Sequence, residues 1–328
     1  MTEIFPTSYS TLAESGLANM VSDRYKLDVT ECKLIAKGVG DTYLINSKSG
    51  KLILRVYRCS HRTLNHIQAE VELLLALKQS NVSISYPIED TYGEYIQALN
   101  AAEGVRHVVL FSYAQGESVH NLNDKQLREL GRQMALFHNT SAHLKLKNER
   151  WTFDLDNTLY KPLEILKGAY STDAEGYAWL QGAADKVKDK LNKLNSTNFS
   201  KGYCHYDFLP KNFHFDGDAV TFFDFDFFGY GYLLNDIMSF WQHLCLDVHF
   251  NKITQSEADK SYKIFLESYC ELRHLTKAEL EAVPYLSLGF WLFYSAFHTT
   301  HDQFYAYVQP AHLKLRTNMI KQLMERYW

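Results

Sequence analysis

The sequence predicts an α+β chain in two lobes: a small β-rich N-terminal lobe with one helix over residues 1–115, and a larger, mainly helical lobe over 116–328. Three observations carry this. A length of 328 residues gives room for about two cores. The apolar pattern alternates like strands before Gly116 and recurs at three- and four-residue spacing after it. Only 16 Gly and 6 Pro occur, too few for a turn-dense all-β protein.

In chain order, residues 32–58 read as strands. Glu31–Lys37 leads to Gly38-Val39-Gly40, Asp41–Asn46 follows, and after a Ser49-Gly50 turn comes the β-rich run Lys51–Arg58. Thr63 is placed to cap a helix running to about Gln79, with Ile67, Val71, Leu74, Leu75 and Leu77 on its apolar face. Two more strands are expected near 94–99 and 105–113, and a hinge near 112–118. Beyond it, helices are predicted over 123–144, with a cap at Asn123, and over 175–194, 233–248, 256–272, 276–300 and 311–327. The one expected interruption is 203–226, where Phe213–Phe215, the turn Asp216-Gly217-Asp218 and Ala219–Phe223 read as a hairpin.

Composition excludes several function classes. With 34 Lys+Arg against 38 Asp+Glu and 46% apolar residues, the chain reads as globular, and neither disordered nor a nucleic-acid binder. The five cysteines (Cys32, Cys59, Cys204, Cys245, Cys270) are scattered and lack a CxxC pair, which argues against a disulfide framework or a structural zinc knuckle. No basic-then-apolar leader opens the chain, and the apolar stretches 219–234 and 282–297 are broken or too short to span a bilayer. A cytoplasmic protein without a membrane segment is the expectation.

The chemistry concentrates in His205-Tyr206-Asp207-Phe-Leu-Pro-Lys211-Asn212, followed by Asp224-Phe225-Asp226. Asp207 precedes Asn212 by five residues, the spacing of a kinase catalytic loop, in which the Asp accepts the acceptor hydroxyl's proton and the Asn holds magnesium. Asp224 falls on the far side of the hairpin, so that a carboxylate and an amide carbonyl, both hard oxygen donors, can face one ion. Asp216 and Asp218 are read as hairpin-turn residues. Residues 201–245 hold six Asp and two Lys, so the chain's net charge of −4 is concentrated in this stretch. The same 45 residues hold 14 of the 47 aromatic residues, which points to packing that stiffens the loop.

Read with Gly229-Tyr-Gly231 and Asn235-Asp236, residues 203–240 resemble the core of the aminoglycoside phosphotransferase superfamily. That superfamily also includes choline and ethanolamine kinases, homoserine kinases and bacterial stress-response kinases. Leu52–Tyr57 is similar to its phosphate-contacting strand, Glu70 to its helix carboxylate, Val109–Glu117 to its adenine-binding hinge, and Leu130–His138 to the first helix of its C-lobe. The likeness runs in order over about residues 30–300.

The resemblance implies a bilobal protein-kinase-like fold with a nucleotide-binding lobe (1–115) and a catalytic and substrate-binding lobe (116–328). It also implies an ATP- and Mg²⁺-dependent transfer to the hydroxyl of a small acceptor such as an amino sugar, an amino alcohol or a homoserine-like compound, with GTP as an alternative donor and a cationic acceptor in view. By that likeness Asp207 is the base. Asn212 and Asp224 are the magnesium ligands, Arg55 contacts phosphates and is oriented by Glu70, and Gly38 and Gly40 form a short phosphate-covering loop. Ser112, Tyr113 and Ala114 meet adenine, while His205 and Asp236 brace the catalytic loop.

Departures from the family pattern are Arg55 in place of the protein-kinase Lys, Asp226 in place of the DFG glycine, and Tyr206 in place of the usual glycine. A bulky Tyr206 is expected to alter the acceptor's approach. His243 with His249, and His298 with His301, read as core or surface histidines, not metal pairs. Trp241, Trp291, Tyr294 and Phe297 read as core, with an ammonium cage as the sharper alternative. Lys201 and Lys211 read as solvated, with a contact to the transferred phosphate as the alternative for Lys211. Two competing functions are a protein Ser/Thr kinase and a two-metal hydrolase built on His205, Asp207, Asp224 and Asp226.

Overall fold

The computed structural model describes residues 7–328 and divides into two compact units. The first runs to Gln115 and takes in Lys145–Arg150 and Thr221–Phe223; the second holds the remainder.

In the first unit, five antiparallel strands form one sheet: β1 (Val29–Lys37), β2 (Gly40–Ser47), β3 (Gly50–Tyr57), β4 (Ile96–Ala101) and β5 (Gly104–Ser112), ordered β1-β2-β3-β5-β4. Alternate residues of the central strands, Tyr43 and Ile45, Leu54 and Val56, Val108 and Leu110, point to one core, as the two-residue period of a strand requires. Against them packs an unexpected helix, α1 (Glu14–Tyr25), through Leu17, Val21 and Tyr25. The predicted helix is α2 (Leu64–Gln79), and Thr63 caps it by accepting the His66 N–H.

A buried ion pair fixes the start of β2. Arg106 is fully buried and donates to Asp41 Oδ2 at 3.0 Å, to the Tyr57 carbonyl at 3.1 Å and to the Ser10 carbonyl at 2.7 Å, while the Tyr9 hydroxyl donates to Asp41 Oδ1 at 2.6 Å. A guanidinium with three satisfied partners is the form in which a buried charge is tolerated. It holds the residue that follows Gly40.

The second unit carries α3 (Asp124–Ser141), α4 (Lys161–Leu166), α5 (Ala174–Lys193), α6 (Leu234–His249), α7 (Gln255–Leu272), α8 (Lys277–His298) and α9 (Pro310–Tyr327). Asn123, Thr254 and Thr276 each close a capping box. Helices α3 and α7 cross closely at Gly131, where a Cβ would stand 2.3 Å from the Phe265 carbonyl oxygen.

The expected hairpin is present as β8 (Phe213–Asp216) and β9 (Ala219–Phe222), turning at Gly217 with φ +61°. It is not the only β-structure here. Strands β6 (Thr152–Phe153), β7 (Lys201–Cys204) and β10 (Gly229–Tyr232) form a second small sheet, ordered β6-β10-β7, whose strand β7 leads directly into His205. Among the described residues no helix is long and apolar enough to cross a membrane, and all five cysteines are free thiols.

Candidate active site

Strand β7 ends at Cys204 and delivers His205-Tyr206-Asp207 into the interior of the second unit. Asp207 is buried, and its backbone carbonyl accepts the Leu209 N–H at 2.9 Å, which begins a tight turn through Pro210–Asn212. That turn brings Asn212 back onto Asp207. Its Nδ2 donates to the Asp207 carbonyl at 2.7 Å and to the Asp207 Oδ2 at 2.8 Å. With the amide nitrogen committed to Asp207, the Asn212 amide oxygen faces away from it.

Asp224 follows β9 in the left-handed region (φ +62°), a conformation Asp tolerates, and is exposed. An amide oxygen and an exposed carboxylate make a hard donor pair of the kind magnesium prefers. The residues present therefore fit that ion.

Tyr206 is fully buried, with its ring stacked on Phe153 at 3.7 Å and 7° and packed among Phe290, Phe293 and Tyr294, so its bulk goes into core packing. Its φ of +67° lies in the left-handed region, which a glycine adopts without strain. Three contacts hold a tyrosine in that strained state: its N–H donates to Asp236 Oδ1 at 2.6 Å, its carbonyl accepts the Ser239 hydroxyl at 2.7 Å, and its ring is stacked.

Asp236, on α6, is the anchor of this loop. It also accepts the His205 N–H at 2.9 Å, and His138 Nε2 lies 3.0 Å from its Oδ2. His138 Nδ1 in turn lies 2.9 Å from the Tyr269 hydroxyl. Burial holds the His138 pKa below the ordinary histidine value despite the Asp236 charge. A neutral ring satisfies both contacts, with Nε2–H donating to Asp236 and Nδ1 accepting from Tyr269. Sequence reasoning placed His138 on a core helix without a role; its only signal was a histidine ending an apolar run.

Lys211 is solvated, its side chain 64% exposed, and its ammonium pairs with Asp207 Oδ2 at 2.8 Å. Partial burial works against its charge, but Asp207 and Asp224 outweigh that and raise its pKa. The four aromatics do not form a cage. Tyr294 and Phe297 pack on Phe227, with Tyr294 neighbouring Asp207, whereas Trp241 and Trp291 line a separate small cavity with Trp328. Burial, with the Asp207 and Asp224 carboxylates adding to it, pushes the Tyr294 phenol well above its usual range.

In the first unit, Arg55 lies on β3 opposite Thr42 and Val109, and Glu70 is buried on α2. Gly38 and Gly40 form the β1–β2 turn, closed by the Gly38 N–H to the Gly40 carbonyl at 3.0 Å. A Cβ on Gly40 would stand 3.3 Å from the Val56 carbonyl and 3.6 Å from Arg55 Nε. Ser112 donates its N–H to the Tyr86 carbonyl at 2.9 Å and accepts the Ser85 hydroxyl on its own carbonyl at 2.6 Å. Tyr113 and Ala114 continue from it. Among the described residues, His205, Asp207, Asp224 and Asp226 do not gather as a group with ligand atoms within 4.8 Å of one another.

Comparison with known proteins decides the family. The sequence model of the phosphotransferase enzyme family, the aminoglycoside phosphotransferase group, matches residues 31–275. The chain belongs to this family. It is a small-molecule kinase, a phosphotransferase whose acceptor is a hydroxyl group.

Among relatives of this phosphotransferase, an uncharacterized protein of Deinococcus radiodurans is 30% identical over 86% of this chain and 80% of its own length. A homoserine kinase of Agrobacterium fabrum is 26% identical over 86% and 83%. Two solved structures share the fold. A microcompartment-associated aminopropanol kinase has a TM-score of 0.75 at 20% identity, covering 95% of this chain and 98% of that one. An amicoumacin kinase in complex with AMP-PNP, Ca²⁺ and Ami has a TM-score of 0.72 at 18% identity, covering 94% of each.

Proposed function

We propose that this phosphotransferase moves the γ-phosphoryl group of ATP, with Mg²⁺, to the hydroxyl of a small acceptor that also carries an amine. The observation that carries the reading is the Asp207–Asn212 turn: a buried carboxylate held by an amide whose oxygen faces away, with Asp224 exposed just beyond the hairpin.

In this reading residues 1–115 bind the nucleotide and 116–328 hold the chemistry and the acceptor. Arg55 contacts phosphate oxygens, for which its planar fork is suited, and Glu70 orients it. The Gly38–Gly40 turn lies over the phosphates, where the lack of a Cβ at Gly40 lets backbone approach Arg55. Adenine meets the backbone of Tyr113 and Ala114, with Ser112 anchoring that stretch through its bonds to Ser85 and Tyr86. Mg²⁺ held by Asn212 and Asp224 supplies neutralisation of charge on the phosphates. Asp207 orients the acceptor hydroxyl and takes its proton, and Lys211 stands beside it to meet the transferred phosphoryl group.

The amine on the acceptor is supported by what the named relatives and neighbours have in common, since homoserine and aminopropanol both join a hydroxyl and an amine on a short carbon skeleton. Five free thiols fit a reducing cytoplasm.

The test is an ADP-release assay with Mg·ATP and Mg·GTP against amino alcohols, homoserine, amino sugars and a generic Ser/Thr protein substrate. We expect turnover with at least one small amino alcohol, abolished by Asp207→Ala with ATP binding retained. Asp224→Ala should remove the Mg²⁺ dependence of nucleotide binding. Transfer to protein alone would overturn the small-acceptor reading, and full turnover by Asp207→Ala would overturn the role of that carboxylate.

A further inference from the structure

We propose that His120, His243 and Asp247 form a binding site for a divalent transition cation of the zinc class, carried wholly by the second unit and separate from the magnesium ligands. The inference does not rest on the phosphotransfer reading. His243 and Asp247 are four residues apart on α6, which puts both on one helix face a turn apart. The segment following Gly116 brings His120 to the same place. His120 Nε2 lies 3.1 Å and His243 Nε2 3.3 Å from one atom, Asp247 Oδ2.

The distances are those of a coordination polyhedron. In a tetrahedral site with metal–ligand bonds of about 2.0–2.1 Å, adjacent ligand atoms stand about 3.3 Å apart. Two of the three edges already have that length, and all three atoms lie within 4.8 Å of one another. His120 can close the remaining edge, because its side chain is 47% exposed on a loop, against 17% for His243 and 4% for Asp247.

Two further observations point to a ligand. His243 Nε2 is a buried nitrogen that no hydrogen bond of good geometry satisfies, although it faces the carboxylate. Lys252 Nζ holds the other oxygen, Asp247 Oδ1, at 3.1 Å, the kind of outer support that fixes a ligating carboxylate and leaves Oδ2 to bind. Two imidazoles and one carboxylate suit zinc, cobalt or nickel, whereas magnesium favours an all-oxygen set.

The site opens on a cavity of about 320 Å³ bordered by Leu127, Phe240, Ile253 and Pro210, which leaves room for a water or a small ligand at a fourth position. The cavity also borders the catalytic turn. Ser118 Oγ donates to the Pro210 carbonyl at 2.7 Å, so the segment bearing His120 is tied to that turn at one point, and a bound cation would tie it to α6 at a second.

The experiment is titration of the full-length, chelator-treated protein with Zn²⁺ in excess Mg²⁺ and without nucleotide, followed by calorimetry, with Co²⁺ absorption as the spectroscopic readout. One equivalent should bind, and Co²⁺ should give the visible bands of a low-coordinate nitrogen and oxygen site. His120→Ala, at an exposed loop position, should weaken binding at least tenfold without changing the far-ultraviolet dichroism, and His243→Ala should do the same. Cys59→Ser with Cys270→Ser, the two exposed thiols, should leave binding unchanged. Absence of a stoichiometric Zn²⁺ equivalent in the parent protein, or an affinity in either histidine variant equal to that of the parent, would overturn the proposal.

Discussion

The ammonium of Lys211 stands 2.8 Å from the carboxylate oxygen of Asp207, one helical turn's worth of sequence further along a loop that is not an α-helix. With the lysine end in solvent, the pair adds little to stability. In the proposed reading its value lies in charge placed where phosphoryl transfer needs it.

Lys211→Met should therefore lower kcat/KM by about 10- to 100-fold, roughly 1.4–2.7 kcal/mol of transition-state stabilisation, with Tm shifted by no more than a couple of degrees. Steady-state kinetics beside a thermal melt checks both. An unchanged kcat/KM would mean that Lys211 only decorates the loop.

Tyr206 separates strain from packing. Tyr206→Ala loses the stacked ring and keeps the left-handed backbone, and should cost about 3–5 kcal/mol. Tyr206→Gly loses the same ring but relieves the positive φ, so it should be the more stable of the two by about 1 kcal/mol. Urea denaturation of the pair reads the difference directly, and an order of stability opposite to this would show that the backbone at 206 is not strained.

Asp236→Ala removes the acceptor of two buried N–H groups and of His138 Nε2–H at once. At about 1–3 kcal/mol for each buried group left unpaired, the loss should exceed about 3 kcal/mol. Asp236→Asn, which retains an acceptor oxygen, should cost less. Comparison of melting temperatures tests the ranking.

His298 gives a pH signature. Burial, with the positive charges of Arg316, Lys211 and His312, pushes its pKa down to about 4. The unfolded chain takes up this proton near pH 6.5, the native chain only near pH 4. Between those values the unfolded state binds more protons, so this contribution to stability is complete above about pH 6.5, declines as pH falls and levels off below about pH 4. His138 and His243 are shifted in the same sense, so His298→Gln should flatten the acid decline without abolishing it. Denaturation midpoints measured from pH 7 to pH 4 would show it.

Much of this was written locally. The alternation of Tyr43, Ile45, Leu54 and Val56, the Thr63 and Asn123 caps, and the spacing of Asp207, Asn212 and Asp224 can each be read within a few residues. What escaped depends on residues far apart in sequence. Helix α1 offers only Leu17, Val21 and Tyr25 to the core, one contact per turn, and has no capping side chain at Ala13, so its local signal is faint. Strands β6 and β10 are two and four residues long and pair across some eighty positions, Thr152 with Tyr230. The His138–Asp236 contact spans 98 residues, and His120 meets His243 only because the segment after Gly116 folds toward α6. The buried stack of Tyr206 escaped because size is visible in a sequence whereas the sign of φ is not.

The anchoring of His205 and Tyr206 by Asp236 also bears on the order of events during synthesis. The loop of His205 and Tyr206 precedes its anchor by about thirty residues, so a chain that has emerged only through Asp224 contains Asp207, Asn212 and Asp224 but nothing to hold the backbone that presents them. Competence then appears late, when α6 docks with α3 and His138 closes the network. Molecules stopped short of α6 lack α6–α9 as well as the anchor, and hold Asp207 and Asn212 on a loop that nothing supports.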